Sequence, residues 1–462
     1  MTPRGTDTHA FAPLRPRLRE GVVVAGRRSV LKASVAGLGA ASLPALLAAG
    51  GSGVGPAVAG RRAVILLWMT GGPSHIDTWD PKPDAPAEIR GPFATIATRL
   101  TGVRICEYLP LQAALLDRFS LLRAVDCRQS NHEPNMVMQT ANRAAEPRTN
   151  PRAHLYPGIA SLVARHAAAA RPTVPPNVVL HLQSRSHVAS GGVLGRQWDP
   201  FDARAAARIF GVTGALDASR LGDRRALLAD LDRFRRRLDN ALDTDAADRF
   251  TRQAFDMLAG GRASTAFDLA GEDAITRARY GDHEWCRQAL LARRLVEHGA
   301  SFVTIDLSDH SASGTWDTHG DNIPPYGGIW NGLRPLLPVF DRLITALVTD
   351  LDERGMLDDT LVIAMGEFGR TPRIGTQGSS DGRDHWPVVM SACVAGGGLR
   401  HGQVIGATSR DGGEIASRAV TPGDLAATIY RHMGVPLDAT YADHQGRPVP
   451  ILTEGRPLPE WS

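Results

Sequence analysis

Four segments of the chain combine histidine, acidic or hydroxyl side chains, and each follows an apolar run. In chain order they contain His75 and Asp77, Ser130 and His132, Asp317 and His319, and Glu367 with Asp384 and His385. Imidazole and carboxylate groups are ligands that proteins offer to divalent cations such as zinc, manganese, magnesium and calcium. The recurrence of these residue types predicts a metal-assisted site.

The most informative segment contains the motifs GEFGRTP and GRDHWP. Glu367 lies just after the apolar run Thr360–Met365. Asp384 and His385 are adjacent and face opposite ways in an extended backbone, so the chain must bend if both bind metal. Arg370 carries a fork of donors that suits phosphate or sulfate oxygens, which makes it a candidate catalytic residue. Pairing with Glu367 or another loop carboxylate explains Arg370 equally well.

Two other segments repeat a spacing of two residues between an imidazole and a carboxylate. His75 and Asp77 project to one face if their segment is extended, and so do Asp317 and His319. Both pairs are therefore predicted metal ligands. A polar turn in which Ser74 or Asp77 caps the next segment is the alternative for the first pair.

The remaining segment places Ser130 and His132 before the helix-like stretch Met136–Ala145. The amino terminus of a helix offers backbone donors to an anion. Ser130 is a candidate nucleophile activated by metal, and His132 a candidate ligand or proton donor. Helix capping by Ser130 or Asn131 is the competing interpretation.

Apolar runs alternate with helical patterns, which predicts an α/β/α sandwich with a mainly parallel sheet. The predicted strands are Ala63–Met69, Phe119–Val125, Asn177–Gln183, Phe302–Leu307, Thr360–Met365 and Pro387–Val394. The predicted helices are Leu227–Leu258, Glu284–His298, Leu336–Arg354 and Gly423–Met433. A stretch without convincing strands, around residues 203–276, is interpreted as a helical insertion. Ligands of open α/β sheets bind beyond the carboxyl ends of the strands, where the candidate residues lie.

The first 59 residues have the pattern of a twin-arginine export signal. Arg27 and Arg28 precede a weakly apolar run, and Ala57–Ala59 supplies small residues for cleavage. A transmembrane helix is the alternative, but the run is short and interrupted by glycine and proline. We expect the twin-arginine translocation machinery as a partner, an exported periplasmic or extracellular protein, no stable span after processing, and a folded domain over residues 60–462.

Charge and cysteine content exclude other classes. The chain has a net charge of +4, but residues 1–59 hold seven basic and two acidic residues, a net of +5, which leaves about −1 for the rest. The excess positive charge therefore does not indicate a nucleic-acid partner, and we expect none. The four cysteines are far apart without a CxxC motif, so we expect buried free thiols.

The motifs resemble the family called "domain of unknown function 1501", which is placed with the alkaline phosphatase and sulfatase superfamily. The resemblance rests on GGPSHIDTWDPKP, WDTHGDN, GEFGRTP, GRDHWP, AGGGLRHGQVIGAT, TPGDLAATIYRHMGVP and GRPVPIL, and extends from Val64 to Leu452. It implies an alkaline phosphatase-like fold in which His75, Asp77 and Glu367 occupy metal-binding positions at strand ends. Asp317, His319, Asp384 and His385 would complete a cluster of one or two cations.

The chain departs from this superfamily in its nucleophile. Sulfatases carry Cys-x-Pro-x-Arg, and none of the four cysteines has that context, so formylglycine chemistry is disfavoured. The candidate nucleophiles are Ser130, Thr70, Ser74 and water. We expect an exported metal-dependent hydrolase of phosphate or sulfate esters that acts on an anionic ester substrate. The alternative is a non-catalytic envelope or extracellular binding protein that retains the fold.

Overall fold

A computed structural model describes most of the chain beyond the predicted signal. The described ranges are residues 61–132, 135–167, 174–182, 188–204, 262–309, 315–320, 322–323 and 326–461. The predicted signal over 1–59, the predicted helix Leu227–Leu258 and most of the predicted insertion over 203–276 lie outside these residues. Within the described ranges, no helix combines the length and the apolar character needed to cross a membrane.

Sixteen strands are found in the described residues, and eight of them form the central sheet. They are β1 (Ala63–Trp68), β2 (Thr95–Ala97), β3 (Arg104–Cys106), β4 (Phe119–Asp126), β5 (Asn177–Leu180), β6 (Phe201–Asp202), β7 (Phe302–Asp306), β8 (Thr360–Met365), β9 (Gly369–Arg370), β10 (His385–Trp386), β11 (Val389–Gly396), β12 (Gln403–Ile405), β13 (Ala407–Thr408), β14 (Ile415–Ser417), β15 (Thr440–Ala442) and β16 (Pro448–Pro450). The order across the sheet is β12-β4-β11-β8-β1-β7-β5-β6. Neighbouring strands are parallel, except that β11 is antiparallel to both β4 and β8.

Nine α-helices are found in the described residues. They are α1 (Ala87–Arg90), α2 (Pro110–Ala114), α3 (Val137–Thr140), α4 (Ile159–Ala167), α5 (Arg262–Phe267), α6 (Ala274–Tyr280), α7 (Glu284–Glu297), α8 (Arg334–Glu353) and α9 (Pro422–Met433). A π-helical segment, Gly328–Leu333, leads directly into α8. The start of α9 is fixed by a capping box between Thr421 and Asp424, with Pro422 in the first turn.

Helices cover both faces of the sheet. Side chains alternate along β1, so that Ile65 and Leu67 join one apolar layer and Val64 and Trp68 join the other. The first layer contains residues of α7 and α8, and the second contains residues of α4 and α9. This three-layer α/β/α architecture with a mainly parallel sheet confirms the predicted fold class. The four cysteines are buried free thiols, as expected.

The helix-like stretch Met136–Ala145 forms only the four-residue helix α3. Ala141 has a left-handed backbone with φ of 53°, which ends the helix, and the Asn142 side chain starts a separate 3₁₀ turn. Ser130 therefore precedes α3 by seven residues, and it does not cap it. Ser130 therefore does not lie at the amino terminus of a helix, and an anion site there would not be supported by helix backbone donors.

The direction of the strands brings the candidate loops to one edge. β1, β7 and β8 are mutually parallel, and β4 points the same way as β8 because both are antiparallel to β11. The carboxyl ends of β1, β4, β7 and β8 therefore meet at the same edge of the sheet. The segments that contain the candidate residues follow these four ends.

Candidate metal centre

Four of the candidate side chains converge beyond this edge. His132, Asp317, His319 and His385 each offer a ligand atom, and these atoms all lie within 4.8 Å of one another. Nε2 of His132 is 2.8 Å from Nε2 of His385 and 3.2 Å from Oδ2 of Asp317. Nε2 of His319 is 3.4 Å from Oδ1 of Asp317. The loops that follow β4, β7 and β8 thus contribute to a single group, which we call the metal cluster.

The polar atoms of the metal cluster fit a bound cation. The Asp317 carboxylate is fully buried, yet neither of its oxygens receives a well-aligned hydrogen bond from the described residues, and Nδ1 of His319 also lacks one. Buried polar atoms without partners are costly, and a cation would satisfy them. Three imidazoles and one carboxylate form a donor set that suits zinc and other borderline divalent ions.

Glu367 contacts His132 from outside this group. Its Oε1 accepts hydrogen bonds from the backbone N–H of Gly71 at 2.8 Å and from Nδ1 of His132 at 2.7 Å. Because Nδ1 donates to the carboxylate, Nε2 is the nitrogen of His132 that faces the metal cluster. A carboxylate that orients a ligating imidazole in this way also raises its basicity. In this geometry Glu367 positions a ligand.

Arg370 is fully buried and its donors already have acceptors. Nε donates to the carbonyl of Gly72 at 2.9 Å, Nη1 donates to that of Arg383 at 3.3 Å, and Nη2 donates to that of Gly71. Nη2 is also 2.6 Å from Oδ1 of Asp317. Arg370 therefore holds Asp317 against the loop after β1. Its direct contact with an anionic substrate stays a prediction.

The charges set the protonation of the imidazoles. Burial acts to lower the pKa of His132, but the carboxylates of Asp317 and Glu367 outweigh it and raise that pKa above its ordinary value. Burial, together with Arg370 and His132, lowers the pKa of His385 to about 2. His319 also has a lowered pKa, chiefly through burial.

The carboxylate of Asp317 remains ionised in this setting. Burial alone would raise its pKa, but the charges of Arg370 and His132 lower it well below the usual range. An ionised carboxylate is the state of this side chain that metal ligation requires.

The structure does not bring His75 and Asp77 into the metal cluster. Their segment is a turn, so the extended geometry expected from the spacing of two residues is absent. Asp77 accepts from Nε and Nη2 of Arg383 at 2.7 and 3.2 Å. Nε2 of His75 donates to the carbonyl of Gly412 at 2.8 Å, and a Cβ placed on Gly369 would lie 2.7 Å from its Nδ1. Nδ1 of His75 has no hydrogen bond from the described residues, and it faces the backbone of Gly369 instead of the metal cluster.

The candidate hydroxyl nucleophiles have separate partners. Thr70 donates to Oδ1 of Asp306 at 2.6 Å, and Ser74 donates to Oδ2 of Asp77 at 2.5 Å. Ser130 is buried, and its hydroxyl accepts a long hydrogen bond of 3.5 Å from Asn135. None of these contacts joins a hydroxyl to a ligand of the metal cluster, so the nucleophile stays a prediction.

Asp384 lies at the margin of the metal cluster. Its Oδ1 is 3.7 Å from Nδ1 of His319 and accepts from the backbone N–H of His385 at 2.6 Å.

Two residues near these side chains were not predicted from the sequence. Arg383 binds Asp77, and the Phe368 ring packs 4.6 Å from that of His132 and 5.0 Å from that of His385. Both belong to the quoted motifs, but their partners are distant in sequence.

The fold and this site describe a three-layer α/β protein with a cluster that could bind a metal. Residues 61–461 match the family described as "Protein of unknown function (DUF1501)", and the chain belongs to that family. No curated protein matches the chain.

Solved structures show distant similarity. The PsFucS1 sulfatase from Pseudoalteromonas sp. is 13% identical, with a TM-score of 0.38, over 89% of this chain and 72% of that one. The phosphonate monoester hydrolase SpPMH from Silicibacter pomeroyi is 13% identical, with a TM-score of 0.35, over 86% and 74%. The lipoteichoic acid synthase LtaP from Listeria monocytogenes is 10% identical, with a TM-score of 0.35, over 84% and 76%.

Proposed function

We propose that this protein is an exported metal-dependent hydrolase of phosphate or sulfate esters, with the metal cluster as its catalytic centre. The observation that carries the proposal is the convergence of four ligand atoms at the carboxyl edge of the sheet, around a buried Asp317 carboxylate that receives no well-aligned hydrogen bond from the described residues. The proposal of export rests on the twin-arginine pattern in the first 59 residues.

Each residue around the proposed ion has a role. His132, Asp317, His319 and His385 would hold it. A bound divalent cation polarises an ester oxygen and lowers the pKa of water. Glu367 accepts a hydrogen bond from Nδ1 of His132, so that Nε2 is the nitrogen that would ligate the ion.

The surroundings of the ligands complete this arrangement. Arg370 fixes the position of Asp317 through their buried ion pair. The Phe368 ring lies against His132 and His385 and keeps water from one side of their imidazoles. A dry surrounding strengthens the interaction between charged groups and an anionic ester.

The decisive experiment pairs metal analysis with activity. Protein purified from its native export route is expected to contain at least one divalent ion for each chain and to begin after residue 59. It is expected to hydrolyse generic phosphate or sulfate monoesters or diesters. Removing a residue that hydrogen-bonds to a metal ligand typically lowers metal affinity about 10-fold to 100-fold, and removing a ligand itself should cost more. His385→Ala should therefore lower metal affinity by at least about 100-fold and abolish activity.

The matched control is His444→Ala, because His444 is an exposed histidine that contacts Arg152 at the surface. It should retain the wild-type metal content and rate. Absence of metal in the wild type, together with no activity after addition of zinc, manganese, magnesium or calcium, would refute the hydrolase proposal. Tight metal binding without turnover of any ester would support the non-catalytic binding protein.

A further inference from the structure

A buried carboxylate outside the metal cluster has no cationic partner among the residues that the structure describes. Glu146 is only 4% exposed. Its Oε1 accepts hydrogen bonds from Nδ2 of Asn131 and from the backbone N–H of Arg148, each at 3.1 Å. Its Oε2 is buried and receives no hydrogen bond from the described residues. A buried charge is costly unless it is paired or binds a metal ion, so this oxygen is a candidate ligand for a cation.

A second buried oxygen without a hydrogen bond lies in the same part of the fold. Asn135 is 2% exposed, and its Nδ2 donates to the carbonyl of Asn131 at 3.0 Å and to Oγ of Ser130 at 3.5 Å. The bond to a carbonyl identifies this atom as the nitrogen of the amide, because a carbonyl only accepts. The other atom, Oδ1, is buried and receives no hydrogen bond from the described part of the chain. Asn131 thus contacts both Asn135 and Glu146.

The arginines close to Glu146 in the sequence have other contacts. Arg143 donates to Oδ2 of Asp126 at 2.9 Å and to Oε1 of Glu454 at 3.2 Å. Arg148 donates to Glu146 through its backbone N–H, which carries no full charge. The negative charge of Glu146 is therefore not neutralised by these two side chains.

The donor atoms indicate which class of ion fits. A carboxylate oxygen and an amide oxygen, without imidazole or thiolate, suit hard cations such as calcium and magnesium. Calcium accepts a flexible arrangement of oxygen ligands that includes water. The metal cluster, with three imidazoles, instead suits zinc and other borderline ions.

The segment that contacts Glu146 also carries a residue of the metal cluster. Asn131 directly precedes His132, whose Nδ1 contacts Glu367 and whose Nε2 faces the cluster. An ion bound to Glu146 would hold its carboxylate, and the bond from Asn131 to that carboxylate would fix the backbone from which His132 extends. A cation at Glu146 would therefore help to position His132.

We propose that Oε2 of Glu146 and Oδ1 of Asn135 are ligands of a hard divalent cation, calcium or magnesium, that is separate from the ion of the metal cluster. The ion is structural, and it fixes the segment that carries His132. Binding of the ion does not depend on the proposed function. Its effect on His132 rests on the proposed function, because there His132 is a ligand of the catalytic ion.

Thermal unfolding with calcium or magnesium alone tests the site. The full chain would first be freed of metal with a chelator. Either ion at about one hundred times its dissociation constant should raise the melting temperature by a few degrees, because a ligand of the folded state stabilises that state. His385→Ala should show the same rise, because His385 belongs to the metal cluster and not to this site.

Glu146→Gln removes the charge and keeps the shape of the side chain. It should lower the affinity for the effective ion at least about tenfold, because the charge of the ligands sets the affinity of such sites. Without added ion it should melt at a higher temperature than the wild type, because a neutral amide costs less to bury than an unpaired carboxylate. The matched control is Glu107→Gln. The carboxylate of Glu107 also accepts a backbone N–H, from Ala94 at 2.8 Å, but it is partly exposed, so this variant should respond to the ion as the wild type does.

Hydrogen exchange gives a readout that needs no variant. The effective ion should slow exchange of the backbone amides of Asn131, His132 and Arg148 in the wild type and in His385→Ala. Unchanged melting and unchanged exchange with both ions would overturn the inference, even if the metal cluster is active.

The variants distinguish this inference from the proposed function. An ion response that is lost in Glu146→Gln and kept in His385→Ala supports the site even if no ester is hydrolysed. An equal response in Glu146→Gln and the wild type would overturn it. A response that is lost in His385→Ala and kept in Glu146→Gln would assign the ion to the metal cluster and would also overturn it.

Discussion

The loop after β1 and the metal cluster contain the same residue types, but their polar atoms have different partners. In the loop, the Asp77 carboxylate accepts from Arg383 and Ser74, and His75 donates to a backbone carbonyl. In the metal cluster, Asp317 receives no well-aligned hydrogen bond from the part of the chain that the structure describes, and three imidazoles surround it. Among the described residues, only Nδ1 of His75 lacks a hydrogen bond in the first arrangement, whereas in the second both oxygens of Asp317 and Nδ1 of His319 lack one.

This difference shows that residue type and spacing alone do not identify a metal ligand. Burial lowers the pKa of His75 and thus keeps it neutral, as it does for His385. Both imidazoles are therefore in the protonation state that ligation requires. What separates them is the backbone of Gly369, which occupies the space beside His75, and the ligand atoms that converge beside His385. The comparison can be tested by removing one partner at a time.

The largest effect is expected for Asp77→Asn. Arg383 and Asp77 have fully buried side chains, and the substitution leaves the guanidinium charge without its counterion. Removal of one partner from a buried pair typically costs about 3–5 kcal/mol, so the free energy of unfolding measured with urea should fall by about that amount. The metal content of the folded variant should equal that of the wild type, because Asp77 lies outside the metal cluster.

Asp352→Asn is the matched control, because Asp352 pairs with Arg118 at the surface and both side chains are more than 40% exposed. Its effect on unfolding should be below about 1 kcal/mol. If Asp77→Asn instead loses metal with little change in stability, the loop after β1 belongs to the metal centre, and the two regions do not differ in metal binding.

A smaller effect is expected for Glu367→Gln. The amide keeps an acceptor for Nδ1 of His132 but removes the charge that raises the basicity of the imidazole. Loss of such an outer partner typically costs 10-fold to 100-fold in metal affinity, which competition with a chelator would measure. Glu454→Gln, at an exposed carboxylate beside Arg143, should leave the affinity unchanged. A loss of metal as complete as in His385→Ala would show that Glu367 itself is a ligand.

The sequence predicted the positions of the strands better than the contacts between side chains that are distant in sequence. Apolar runs predicted six of the eight strands of the central sheet, with ends within three residues of the observed ones. Strands buried on both faces must be apolar throughout, which makes such runs visible in the sequence. Strand direction is not visible in such runs, and β11 is antiparallel. Which loop residues converge depends on distant partners, such as Arg383, which is 306 positions from Asp77. His132 was identified as a candidate, but its place between Asp317 and Glu367 required the folded chain.

The smallest effect concerns pH, and it separates the imidazoles of the metal cluster from one another. His385 has a pKa of about 2, so it is already neutral near pH 6 and releases no proton when a metal binds, and the pKa of His319 is also lowered, chiefly through burial. His132 has a raised pKa, so it carries a proton that the ion must displace. Metal affinity should therefore increase about tenfold for each pH unit up to the pKa of His132, and level off above it.

Calorimetry at pH 5.5 in buffers of different ionisation enthalpy would count the protons released. Fewer than three protons for each ion are expected, because His385 is already neutral at this pH and water bound to zinc ionises only near pH 7. Glu367→Gln should reduce this number, since the removed charge helps to hold the proton on His132. Release of three protons would mean that all three imidazoles are charged before binding, which contradicts the electrostatic order described for the metal cluster.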